Sequence, residues 1–143
     1  MTDQPTDQQP DQQTAWTLTR HRDALAVVRL GPGTEIPGWA TSSTLFSVTA
    51  TATETSLVCH ASSVPTKARR EGPFVAYQVA GPLDFALVGV LSALLAPLAD
   101  AGISVFVLST FDTDWILVPA GSADDADAAW AAAGHTVQLE ESA

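Results

Sequence analysis

Residues Gly81 to Val118, GPLDFALVGVLSALLAPLADAGISVFVLSTFDTDWILV, carry one long helical pattern followed at once by two strand patterns, an order that limits the folds open to the chain. Leu87, Val90, Leu91, Leu94, Leu95 and Leu98 recur at helical spacing and make one apolar face that has to be buried. Asp84 is placed to cap this helix and Gly102 to end it. Ile103 to Leu108 and Trp115 to Val118 are short runs rich in β-branched and aromatic residues. With Ser109 to Asp114 between them they read as a hairpin with a polar, acidic tip. The most apolar window, Phe85 to Ala99, is fifteen residues bounded by Asp84 and Asp100. A bilayer-spanning helix needs about 20, so a buried helix is expected and no membrane contact.

The rest of the chain supplies partners for these elements. Residues 1–14 hold Asp, Gln, Thr and Pro with one Met, too little apolar surface to offset the entropy of ordering, so a disordered tail is expected. Trp16 to Leu30 is strand-like and stops at Gly31-Pro32-Gly33. Glu35 to Ser43 is turn-rich. Leu45 to Thr53 and Thr55 to Ala61 read as two antiparallel strands around Glu54. Ser62 to Pro73 is read as a loop, and Phe74 to Ala80 as a further strand. Ser122 with Asp125 suggests a capping box opening a second helix, which Gly134 closes before a strand at His135 to Leu139. Residues 74–139 thus run β-α-β-β-α-β, the ferredoxin-like order of an α+β fold with antiparallel sheets. The first half repeats part of that order without a strong helix. The expected division is a tail at 1–14, a reduced unit at 15–65, a linker at 66–73 and a complete unit at 74–140.

Charge narrows the function. All six basic residues lie before position 71, while residues 71–143 hold ten acids and no Lys or Arg, so the net charge of −10 belongs to the second half. Nucleic acid, bound through cations that neutralise phosphates, is not an expected partner. The acidic surface serves solubility, or a preference for cationic ligands. No basic-then-apolar leader opens the sequence, and the single Cys59 has no internal partner. A cytoplasmic location is expected.

The Gly-Pro joint at Gly81, the Ala-Pro-Leu-Ala helix end before Ala-Gly-Ile-Ser, and the Ser-Thr-Phe-Asp-Thr-Asp hairpin before an apolar strand resemble the ACT-domain amino-acid sensors. Within them they resemble small bacterial tandem-ACT proteins related to the CASTOR arginine sensors. Ser47-Val48-Thr49 and Leu57-Val58-Cys59 match more loosely, and the likeness spans residues 16–140. The resemblance implies tandem ferredoxin-like ACT units, the first reduced, that bind an amino acid at an interface between units without chemistry of their own. The eukaryotic relatives hold four such units in one chain, so two here imply a site completed by a homodimer. A further protein partner is left open.

Two places could hold such a ligand. At the Gly81 to Gly89 joint, helix-start N–H groups suit a carboxylate, although Asp84 disfavours an anion directly at the cap. On the hairpin, Asp112 and Asp114 can point the same way, and Asp114 can pair with an ammonium or guanidinium group. In the arginine sensors the acid at this position helps hold the ligand. The expected ligand-binding set is Gly81, Leu83, Asp84, Gly89, Ser109, Thr110, Phe111 and Asp114, with a basic amino acid favoured. The competing reading is local turn and cap chemistry. His21, His60 and His135 lack ligand spacing, so no metal or other cofactor is expected. No nucleophile, phosphate or dinucleotide motif is present. A non-catalytic regulatory protein is therefore expected, and the alternative is a small hydrolase or metal-dependent enzyme using Asp112 and Asp114.

Overall fold

The structure, a computed structural model, describes residues 14–81, 83 and 88–141. Its elements are β1 (Thr17–Leu30), β2 (Ser47–Ala50), β3 (Thr55–His60), β4 (Arg69–Val79), α1 (Val90–Asp100), β5 (Phe106–Ser109), β6 (Asp114–Pro119), α2 (Ala123–Ala132) and β7 (Thr136–Leu139). The strands make one sheet in the order β2-β3-β1-β4-β6-β5, antiparallel throughout, and β7 runs parallel to the start of β1. This is a mixed α+β, ferredoxin-like arrangement.

The long β1 is the common strand. Thr17 to Arg20 lie between β7 and β4, whereas Leu25 to Leu30 lie between β3 and β4. Between these halves Arg20 pairs with Tyr77 but Ala24 with Val75, so His21, Arg22 and Asp23 share one facing residue and form a bulge. A second irregularity lies in β4. Leu25 faces Phe74 while Val27 faces Glu71, which leaves Gly72 and Pro73 opposite Ala26 alone. Gly72 has φ 131°, and a Cβ there would come within 3.0 Å of the Leu25 carbonyl. Proline has no N–H to lose from the ladder, so a bulge is where this dipeptide fits an interior strand.

Both helices lie on one face of the sheet. Val90, Leu94 and Leu98 of α1 and Ala123, Ala126 and Trp130 of α2 pack on Leu18, Tyr77, Val79, Ile116 and Val118. Each such leucine contributes about 1.5–3 kcal/mol on full burial. Trp130 Nε1–H donates to the Leu94 carbonyl at 2.8 Å, joining the helices, and the Tyr77 hydroxyl donates to the Ala123 carbonyl at 3.0 Å and to Asp127 at 2.6 Å. On the opposite face Leu25, Val58, Ala76, Trp115 and Leu117 form a second cluster with Leu45.

The helix ends follow the sequence. Ile103 N–H reaches the Leu98 carbonyl and Gly102 N–H the Ala99 carbonyl. His135 and Gly134 repeat the pattern on Trp130 and Ala131. Both glycines have the positive φ this stop requires, 75° and 94°.

Several expectations change. Asp84 and Leu87 lie outside the described residues, and the residue before α1 is Gly89, whose left-handed φ of 86° does not belong to a helix. Ser122 makes no side-chain cap bond, because a 3-10 turn at Ala120–Ser122 leads directly into α2. The expected linker at 66–73 is only partly a loop, since β4 begins at Arg69 and pairs with β1. Strand β5 starts at Phe106 rather than Ile103. The order β-α-β-β-α-β holds over 74–139, but β7 pairs with β1, because β1 occupies the edge of β4 that the last strand would otherwise take.

Candidate functional site

The joint between β4 and α1 and the hairpin between β5 and β6 meet across a cavity of about 320 Å³. Its lining is Leu83, Gly89, Val90, Leu91 and Ser92 on one side and Ser109 to Asp114 on the other. Of the expected residues, Leu83, Gly89, Ser109, Thr110, Phe111 and Asp114 are brought together there. Gly81 stands just behind, where a Cβ would lie 3.2 Å from the Asp112 carbonyl and 3.3 Å from Thr113. Asp84 lies outside the described residues.

On the helix side, the first i to i−4 bond of α1 runs from Ala93 N–H to the Gly89 carbonyl at 3.0 Å. The N–H groups of Val90, Leu91 and Ser92 precede it. Among the described residues no side chain caps them and the first turn holds no acid. They present the positive end of the helix dipole to the cavity.

The hairpin side is fixed by a small set of bonds. Thr110 N–H donates to the Thr113 carbonyl at 2.8 Å, and the Thr110 hydroxyl donates to the same oxygen at 3.1 Å. The buried Thr113 hydroxyl donates to the Val79 carbonyl at 2.6 Å, and Leu83 N–H donates to the Asp112 carbonyl at 2.7 Å. These last two bonds pin the hairpin tip to the β4 end. Ser109 and Asp114 face each other across the strands, and the Ser109 hydroxyl donates to Asp114 Oδ1 at 2.6 Å. Oδ2 of Asp114 and the carboxylate of Asp112 carry no hydrogen bond among the described residues. Phe111, which lines the cavity, is exposed, as is Val88 one residue before Gly89.

Among the described residues the lining is two carboxylates, hydroxyls, main-chain N–H groups and apolar side chains, with no Lys, Arg, His or Cys. Such a lining can hold a zwitterion by its two ends. Among the described residues no three metal-ligating side chains come together. The histidines are placed elsewhere: His135 Nδ1 accepts the Trp16 N–H, His60 Nε2 accepts the Ser43 N–H, and His21 lies between Glu140 and Gln78. Sequence reasoning missed Thr113 and Ser92. The Thr110-x-x-Thr113 spacing, a recurrent hydroxyl-turn pattern, is the signal for the former.

Comparison with known proteins places this arrangement in a class. The ACT-domain profile matches residues 70–129, and a profile described only as an N-terminal domain matches 23–67. The fold agrees with this match, so residues 70–129 are an ACT domain by family profile and by topology. The chain is 31% identical to protein Atu0741 from Agobacterium tumefaciens, with a TM-score of 0.82 over 90% of this chain and 96% of that one. It belongs to the family of that protein. VC0802 from Vibrio cholerae shares the fold at 16% identity, TM-score 0.69, over 84% of this chain and 91% of that one. The regulatory subunit of aspartate kinase from Thermus flavus shares it at 10% identity, TM-score 0.58, over 82% and 96%. Among curated proteins none matches. No helix among the described residues is long and apolar enough to cross a membrane.

Proposed function

We propose that this protein is a non-catalytic regulatory module that binds a free amino acid, preferably a basic one, in the cavity between the start of α1 and the β5–β6 hairpin. The start of α1, whose N–H groups no described side chain caps and which lines the same cavity as Asp114, carries the proposal. The α-carboxylate takes the N–H groups of Val90 to Ser92, and a cationic group takes Asp114, so each end of the ligand meets its opposite. The resemblance of residues 81–118 to the arginine sensors favours the same polarity, and the Thermus flavus neighbour is by its name a regulatory subunit. The protein acts in the cytoplasm as a homodimer, in which the second chain closes the open side of the site.

A thermal-shift screen of the twenty amino acids, with and without magnesium, tests this. A ligand that binds only the folded state adds about 2.7 kcal/mol at a hundred times its Kd. Asp114→Ala should weaken binding by about 2–5 kcal/mol and Asp112→Ala by roughly 1 kcal/mol or less. Unchanged affinity in folded Asp114→Ala removes the proposed site, and magnesium-dependent turnover would favour an enzyme instead.

A further inference from the structure

The bulge at 21–23 does more than bend β1, since such irregularities also re-aim side chains. His21 stacks on Trp115, with ring centroids 5.1 Å apart and planes 27° from parallel, on the sheet face away from the helices. Its Nδ1 lies 3.2 Å from Glu140 Oε2 and its Nε2 3.1 Å from Gln78 Oε1. A cavity of about 500 Å³ opens beside this stacked pair. Sites for small molecules span about 300–1,000 Å³. Ser43 and Thr44 also line it, and both are fixed: Ser43 N–H donates to His60 Nε2 at 3.3 Å, and the Thr44 hydroxyl donates to Asp23 Oδ2 at 3.0 Å.

The groups of this lining that remain unpaired are of opposite kinds. Trp115 is 7% exposed, yet its indole N–H meets no acceptor among the described residues, whereas the buried Trp130 Nε1–H donates to the Leu94 carbonyl. Buried donors are nearly always paired, so an acceptor is missing here. Glu140 has both oxygens engaged, Oε1 by the Arg22 main-chain N–H at 2.6 Å and Oε2 by His21. Asp23 has Oδ2 on Thr44 and 3.7 Å from His60 Nε2, which leaves Oδ1. Glu141 is exposed and forms no ion pair among the described residues. The Arg22 guanidinium donates through one nitrogen only, to the Glu140 carbonyl at 3.2 Å.

We propose that this cavity is a second ligand site, for a small molecule with an ammonium group beside a carbonyl or carboxylate oxygen. That is the chemistry of a free amino acid or of the amino end of a short peptide. The ammonium goes to Asp23 Oδ1 and Glu141, and the oxygen accepts from Trp115 Nε1–H and Arg22. A ligand with an ammonium alone would leave the indole N–H unmet and would face Arg22. One with an anion alone would face three carboxylates. The cavity shares no lining residue with the one at α1, so this site stands or falls apart from the function proposed above.

Titration of the full chain carrying Asp114→Ala, which removes the α1 cavity's proposed cation partner, tests the site by itself. The probes are alanine, arginine, glutamate and alanyl-alanine, each beside its N-acetyl form. At least one should bind by calorimetry and change the tryptophan emission, and that change should vanish with Trp115→Phe. N-acetylation and Glu141→Gln should each weaken binding by about tenfold or more, and Arg22→Gln by roughly threefold to tenfold. Glu141 is exposed, so Glu141→Gln keeps the fold and decides the matter if Trp115→Phe does not fold. An amino acid that outbinds the dipeptide identifies the free form as the source, and the reverse order identifies a peptide end. No binding by any probe, equal binding of the N-acetyl forms, an emission change that survives in folded Trp115→Phe, or unchanged affinity in Glu141→Gln would each overturn the site.

Discussion

Replacement of Thr113 by Val tests how the cavity is held in shape. The β4–β6 ladder ends at Gln78 and Trp115, so the Val79 carbonyl lies one residue past the last pair, and the Thr113 hydroxyl reaches it at 2.6 Å. Thr113 is 5% exposed, too little for water to replace that donor freely. Valine keeps the shape and removes the donor. A buried carbonyl deprived of its partner costs about 1–3 kcal/mol. For a chain of this length that corresponds to a fall in Tm of about 4–12 °C. Urea unfolding should show a lower midpoint with an unchanged slope, since no large surface is newly exposed. Thr113→Ser keeps the hydroxyl and loses one buried methyl group, about 0.8 kcal/mol, and so separates the hydrogen bond from packing. The Val variant should also bind any ligand of the cavity more weakly, because the hairpin that carries Asp114 loses one of its two pins. If Thr113→Val unfolds within about 0.3 kcal/mol of the parent, the hydroxyl does not hold the hairpin and the geometry has another cause.

Two further variants test other joints. Glu140 is held below the ordinary carboxylate range, first by the Arg22 main-chain N–H and then by His21. A lowered folded-state pKa gives stability that is present above the unfolded value, about 4.3, and lost as pH falls through the folded value. Glu140→Gln should therefore cost about 1 kcal/mol near neutral pH, discounted for partial exposure, and the difference from the parent should vanish in acid denaturation profiles. A constant difference at all pH values would refute the carboxylate's role. Gly102→Ala places a side chain at φ 75° and should cost about 1–2 kcal/mol, whereas Gly121→Ala, in open space at ordinary φ, should change unfolding by less than about 0.5 kcal/mol.

Much of the candidate site was legible because its parts are local. The Ser109 to Asp114 run is a hairpin tip whatever surrounds it, and its residues reach the cavity together. The start of α1 was less legible, since Gly89 with its positive φ and the masking of the helix start by a continuous apolar run are not separable by periodicity. The role of Thr113 depends on where β6 leaves β4, which no local pattern contains.

The sequence by itself determined the elements that rest on short-range physics. These are the buried stripe Val90, Leu94 and Leu98, the two glycine helix stops, the β2–β3 and β5–β6 hairpins, and the acidic second half. Tertiary structure decided which strands became neighbours. Alternation of apolar and polar residues marks a strand and its buried face but does not name the partner. Only the assembled sheet shows that β1 serves both halves, that β7 joins β1 instead of β4, and that the bulge at 21–23 allows one strand to bend between two sets of neighbours. The same assembly brings Arg29 beside Arg69 from forty positions away in the chain.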